Sequence, residues 1–225
     1  MNNVLNKFFT GNIPKVPIWF LRQAGRHIPE YFKIRGQALN FIDFCLNTDL
    51  VVKSTKLPLK YYDLDAAIVF SDILMIPWAM DRNVNFIKNI GPSLTPMIPD
   101  ETKILKNINI FKKLEPLKKS LLLLRKDLPE HTSLIGFGGA PWTLACYMIE
   151  GQSSKDFLNT RKALWNSNKW FMELLDTLSL YVADKLEMQA KAGADILMIF
   201  DSWSHMIPNN FFHECAIKPT AKIIK

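Results

Sequence analysis

Arginine is the scarce cation of this chain. Among 28 Lys and Arg residues only six are arginine, and Arg22, Arg26 and Arg35 fall within fourteen residues of one another. A guanidinium is a planar fork of donors that meets a carboxylate or phosphate through paired hydrogen bonds. A chain that otherwise uses lysine, yet sets arginine here, points to a carboxylate or phosphate site. Three more polar elements follow apolar runs in the same way. They are Ser71-Asp72, the glycine-rich stretch Gly136 to Thr143 with Tyr147 beyond it, and Asp201-Ser202-Trp203. Each has an ordinary structural use as well. Arg22 and Arg26 can pair with acids where a helix starts. Asp72 can cap the next helix, Ser202 can cap its own turn, and Tyr147 can be core. Asp201 can cap that turn or pair with an arginine. The glycines form neither a Gly-Lys-Ser/Thr phosphate loop nor a GxGxxG turn, and they suit close strand-to-helix packing. His27, His131, His205 and His213 show neither HxH nor HExxH spacing, so no metal is expected. Cys45, Cys146 and Cys215 are odd in number and far apart, which argues against a disulfide framework and for a reducing cytoplasm.

Four apolar runs must position these groups: Val16–Leu21, Ala66–Ser71, Ser133–Phe137 and Asp195–Phe200. Each is nearly continuous rather than alternating, as in a parallel strand buried on both faces. Helical patterns lie between them, at Phe41–Leu46, Leu50–Lys60, Ile108–Leu128, Trp142–Glu150 and Trp165–Ala192, and the chain closes on another at Asn210–Lys225. Pro141 stands where a first helical residue is favoured, and Gly151 lies just past the end of its helix. Strand and helix in alternation predict an α/β fold. The runs begin near residues 16, 66, 133 and 195. Those intervals are about twice the ~31 residues per unit of an eight-unit barrel, so only four strands fit into the chain. No internal repeat or linker marks a boundary, and residues 1–225 read as a single domain. In parallel folds the C-terminal strand ends share one face, so Arg22, Arg26, Asp72, Tyr147 and Ser202 are expected to converge there.

Composition narrows the classes further. Hydrophobic residues make up 48% and charged residues 22%, a globular balance that excludes disorder and coiled coil. No apolar run approaches the ~18 residues of a membrane helix, and no secretory leader is visible. The net charge is +7. Its densest patch, Lys112-Lys113 with Lys118-Lys119, reads as a solvated helix face rather than a nucleic-acid surface.

The block Pro17 to Tyr31, with Arg22-Gln23-Ala24-Gly25-Arg26 at its centre, resembles the uroporphyrinogen decarboxylase family. Gly136 to Gly151, Phe70-Ser71-Asp72-Ile73-Leu74 and Phe200-Asp201-Ser202-Trp203 resemble the same family, in the same order. The resemblance covers the whole chain but only the N-terminal part of the family's barrel. It implies a (β/α)8 TIM barrel, here about the first four βα units, that works as a homodimer without metal or organic cofactor. It also implies the reaction: loss of CO2 from the four acetate side chains of uroporphyrinogen III, giving coproporphyrinogen III for haem synthesis. By that likeness Arg22 and Arg26 bind substrate carboxylates, and Gln23, Ala24 and Gly25 line the pocket with them. Arg35 is a further carboxylate-binding arginine, Asp72 faces the pyrrole N–H groups, and Tyr147 and Ser202 touch substrate carboxylates. The catalytic assignment falls on Asp72, Arg22 and Arg26. Three departures stand out. His27 replaces a usual tyrosine, Asp81 replaces a common glycine, and none of the four histidines fits the family's C-terminal active-site histidine. A corrinoid methyltransferase would need His and Cys zinc ligands, which do not cluster here. A half-barrel that binds porphyrinogen or a complementary chain without turnover is the alternative, and this chain alone is expected to be a poor decarboxylase.

Overall fold

The glycine-rich run becomes the central strand. The computed structural model describes residues 4–11, 16–21, 23–101, 105, 108–166 and 168–225. In it β1 (Ala66–Ile68), β4 (Ser133–Gly139) and β5 (Ile196–Phe200) form one sheet in the order β1-β4-β5. β1 and β4 are parallel, with Ala66 opposite Ser133 and Ile68 opposite Ile135. At one end of β5 the Asp195 N–H donates to Leu134 O (2.8 Å), and at the other the Ala140 N–H donates to Phe200 O (2.9 Å). Low number meets low and high meets high, so β5 is parallel to β4 too. β2 (Asn85–Ile87) and β3 (Gly91–Ser93) make a separate antiparallel pair.

The expected first strand is not one. Val16–Phe20 has no ladder, and Val16 is 75% exposed. Pro17 has no N–H to give. The tie from this segment to β1 runs through Asp65: the Ile18 N–H donates to Asp65 Oδ2 (2.8 Å) and the Asp65 N–H to Ile18 O (3.0 Å).

The chain divides into two compact units. The first comprises residues 1–72, 114–137 and 186–198. It holds α1 (Val4–Phe9), α2 (Pro29–Arg35), α3 (Phe41–Leu46), α4 (Thr48–Lys56) and β1. Asn40 caps α3 through the Asp43 N–H (2.8 Å), and Asn47 caps α4 through the Leu50 N–H (3.2 Å). Their apolar faces close on a core of Ile28, Tyr31, Phe44, Leu50 and Leu57, against which Ala24, Phe41 and Phe70 pack. This unit also holds most of α6 (Ile110–Asp127). Its Arg125 pairs with the buried Asp195 (2.7 Å).

The second unit comprises residues 73–113, 138–185 and 199–225. It contains α5 (Met75–Ala79), α7 (Pro141–Glu150), α8 (Leu158–Asn166) and most of α9 (Asn168–Lys191). Pro141 opens α7, and Gly151 ends it in the left-handed region (φ 75°). The long helix expected from Trp165 to Ala192 is helical over Asn168–Lys191, and Ser167 within it lies outside the described residues. The closing helical pattern is continuous but not uniform. A π-turn spans His213–Ile217 before α10 (Lys218–Ile224). Pro219 lacks the N–H that would reach back to Cys215 O in a regular α-helix.

Candidate active site

Gln23 shows how the arginine-rich segment is held. Only 3% of it is exposed. Its Nε2 donates to Ala66 O (2.8 Å), and its Oε1 accepts from the Ile68 N–H (3.2 Å). One amide thus satisfies an acceptor and a donor on the edge of β1 that β4 does not cover, as a neighbouring strand would. Both ends of the Gln23 amide are engaged with the strand. Beyond it the chain turns, the Ile28 N–H donating to Gly25 O (3.0 Å). Ala24 and Gly25 are half-buried there, and Arg26 is exposed. Arg22 lies outside the described residues.

Arg35 is half-buried on the aromatic core. Its guanidinium lies 5.4 Å from the Phe44 ring centroid and 5.8 Å from that of Phe41, and its Nη1 donates to Ala38 O (3.4 Å). Stacking on rings removes water from one face of a guanidinium and leaves its edges to bind. Burial pushes the Tyr31 phenol up, while Arg35, and more weakly Arg26, pull it down, so both arginines act on one side chain. Asp72 is half-buried four residues past the end of β1. The turn that leads to it is pinned by Thr55 on α4. The Phe70 N–H donates to Thr55 Oγ1 (2.8 Å), which donates in turn to Val51 O (2.8 Å).

Tyr147 and Ser202 belong to the second unit. There the turn after β5 is fastened to the first turn of α7. Thr143 Oγ1 donates to Asp201 Oδ1 (2.7 Å) and accepts from the Trp203 N–H (3.1 Å). Trp142 Nε1 donates to Trp203 O (2.9 Å). Tyr147, one helical turn past Thr143, packs edge-on against the Trp203 ring at 6.1 Å. Ser202, between Asp201 and Trp203, is exposed. Burial raises the Asp201 carboxyl above the usual carboxylate range, and the Thr143 hydroxyl opposes that rise. Cys146 and Cys215 are buried with raised thiols, so neither is a ready nucleophile. Among the described residues no three His, Cys, Asp or Glu side chains gather to hold a metal, and no helix is long and apolar enough to cross a membrane.

Comparison with known proteins assigns the lineage. The family model for uroporphyrinogen decarboxylase matches residues 1–225. The chain belongs to the uroporphyrinogen decarboxylase family. The uroporphyrinogen decarboxylase of Rickettsia africae (strain ESF-5) is 44% identical over 224 residues, covering 100% of this chain and 64% of the relative. That of Maricaulis maris (strain MCS10) is 41% identical over 208 residues, covering 92% and 60%. The chain therefore spans less than two thirds of these relatives' length. Among solved structures, a methyltransferase from Methanosarcina mazei superposes with a TM-score of 0.80 at 18% identity, covering 97% of this chain and 64% of that one. At that identity the likeness concerns the fold alone. The fold class is α/β of the (β/α)8 barrel family, and β1, β4 and β5 are a parallel stretch of it.

The departure at Asp81 now has a cause. Its backbone lies in the left-handed region (φ 61°), where glycine is at ease and Asp or Asn is the best-tolerated alternative. Its carboxylate also pairs with Lys113, which lies over the Trp78 ring. The glycines of β4 serve close packing. A Cβ on Gly136 would come 2.8 Å from Gln189 Oε1. That amide accepts from the Phe137 N–H (2.9 Å) and donates to Phe137 O (2.9 Å). Sequence reading missed Thr55, Thr143, Gln189 and the Asp195–Arg125 pair. Their common signal is a polar side chain within an otherwise apolar buried face.

Proposed function

We propose that the chain acts in the decarboxylation of uroporphyrinogen III to coproporphyrinogen III, in haem biosynthesis, as part of a cytoplasmic homodimeric carboxy-lyase that needs no cofactor. The family match over residues 1–225 also supports reading them as one functional domain. The observation that carries the reading is the Gln23 bridge. It ties the Arg-Gln-Ala-Gly-Arg segment to the backbone of β1, the strand that leads to Asp72. The segment supplies, in this reading, cationic forks for a polycarboxylate, and Asp72 supplies a carboxylate for its ring nitrogens. In this reading Arg22, Arg26 and Arg35 bind carboxylates, with Tyr147 and Ser202 as neutral donors to others.

The chemistry asks for such a set. Each step breaks a bond between a side-chain methylene and its carboxyl carbon, and CO2 leaves. The electron pair needs a sink, and a protonated pyrrole supplies it. A proton then adds to the methylene, which becomes methyl, and the ring gives up the proton that it had taken. Asp72, ionised and facing the pyrrole nitrogens, stabilises the cationic ring as it forms, and it needs no reorganisation to do so. An arginine orients the leaving carboxylate. A guanidinium gives up a proton poorly, so delivery by arginine would need an unusual setting.

The part-exposure of β5 favours a second reading, in which this 225-residue stretch binds porphyrinogen or a complementary chain without turning it over. Leu197 within that strand is 39% exposed. One experiment addresses both. Coproporphyrinogen formation and porphyrin binding are measured for the unsubstituted chain and for Asp72→Asn. The first reading expects turnover, lost by about 100-fold or more in the variant, with affinity within threefold because an amide still accepts hydrogen bonds. Turnover unchanged in Asp72→Asn removes the electrostatic role. Binding with no turnover in the unsubstituted chain selects the second reading.

A further inference from the structure

The turn after β5 is held by a hydroxyl that the family reading does not use. Thr143 is fully buried. Its oxygen donates to the side chain of the residue before Ser202 and accepts from the backbone of the residue after it. The turn has further ties of its own: Ser204 Oγ donates to Asp201 O (3.0 Å), and the Trp142 indole donates to Trp203 O. Ser202 alone of this turn's side chains is left exposed. A fixed backbone with one outward hydroxyl is the geometry of a preorganised donor, because the loss of freedom is met in folding rather than in binding. The same helix face carries Tyr147 one turn on, set against the Trp203 ring. Thr143 and Tyr147 thus lie one turn apart on α7, both against the turn that carries Ser202.

We propose that Thr143 is a positioning residue: its hydroxyl, bonded on both sides of Ser202, holds the Ser202 hydroxyl out to a carboxylate of the ligand. This rests on the reading of Ser202 as a carboxylate donor. Thr143 touches no ligand atom and acts only through the turn. Asp201 is its acceptor, so a side chain of similar shape without a hydroxyl frees the turn, and a serine keeps it.

The test uses Thr143→Val, Thr143→Ser, Ser202→Ala and the Thr143→Val/Ser202→Ala double variant of the 225-residue chain. The probe is uroporphyrin III, a fluorescent octacarboxylate. The expectation is that Thr143→Val and Ser202→Ala each weaken binding about fivefold to tenfold, the scale of one hydrogen bond. Thr143→Ser stays within twofold, and the double variant is no worse than the poorer single one. Amide exchange by NMR gives a second readout. The Trp203 N–H should exchange at least tenfold faster in Thr143→Val and return to normal in Thr143→Ser. The Phe70 N–H, held by Thr55, should not change. Additive losses in binding, Ser202→Ala without effect, or a Trp203 amide indifferent to Thr143→Val would each overturn the proposal. So would equal acceleration at Phe70, which signals general loosening. If the unsubstituted chain fails to bind uroporphyrin III, the substrate reading falls. Positioning of the turn then stands or falls on the Trp203 amide alone.

Discussion

Two segments flank the central strand β4 and follow one template. On one side runs Asp65-Ala66-Ala67-Ile68-Val69-Phe70-Ser71-Asp72, on the other Asp195-Ile196-Leu197-Met198-Ile199-Phe200-Asp201-Ser202. Each opens with an aspartate that grips a neighbouring segment twice, through its own N–H and through its carboxylate. Asp65 does so with Ile18, and Asp195 with Leu134, whose N–H donates to Asp195 Oδ2 (2.7 Å). Each closes after a phenylalanine on one serine and one aspartate, in opposite order. Each turn is tied to a helix by a threonine hydroxyl, Thr55 in the first and Thr143 in the second. The differences are equally specific. Thr55 gives its proton to a backbone carbonyl, whereas Thr143 gives its proton to an ionisable acid. The outer side of β1 is covered by Gln23, and Ala66 and Ala67 are fully buried, whereas Leu197 in β5 is well exposed. Local sequence therefore builds the same strand and turn twice. Which residue type ends each turn, and what covers each strand, sets what the two can do.

The largest effect is expected at the start of the second segment. Asp195 is buried and serves both Arg125 and the Leu134 N–H. Asp195→Ala strands both partners and should cost about 3 kcal/mol of stability. A urea midpoint lowered by less than the equivalent of ~1 kcal/mol, at unchanged slope, would mean that the template does not rest on this grip.

Burial gives the next contrast. Leu134 in β4 is fully buried. Leu134→Ala should cost about 2–5 kcal/mol, and Leu197→Ala in the exposed strand under about 1 kcal/mol. Equal losses would show that β5 is covered in solution, by a second copy or another chain, and a concentration-dependent midpoint would identify that cover.

The smallest effect separates the two threonine ties by pH. Because burial raises the Asp201 carboxyl in the fold, the folded chain holds that proton more tightly than the unfolded one. Its contribution to stability is full below the ordinary carboxylate value and is lost as pH rises through the raised folded value. Asp201→Asn cannot ionise and still accepts from Thr143. Its melting temperature relative to the unsubstituted chain should therefore climb as the pH is taken from about 4 towards 7. A difference that stays flat or falls over that range would break the assignment of the raised carboxyl to Asp201.

Much of this was legible in the residues alone. The continuous apolar runs from Ala66, Ser133 and Asp195 mark parallel strands, because a strand covered on both faces tolerates no alternation. Pro141 and Gly151 bound α7, and the Arg-Gln-Ala-Gly-Arg block names the family, because helix limits and motif are properties of short stretches of chain. Other features are not written at that range. Val16–Leu21 carries a strand's composition but makes no ladder, since pairing depends on what lies beside it. Gln23 reads as part of a binding motif, yet both ends of its amide are engaged with β1, forty-three and forty-five residues away. Thr143 reads as one polar residue in an apolar helix, and only the return of the chain at Asp201–Trp203 shows what its hydroxyl is for. Periodicity and motif record what a residue is. The partner of a buried polar group is set by which distant segment folds against it, and that is decided when the chain closes on itself.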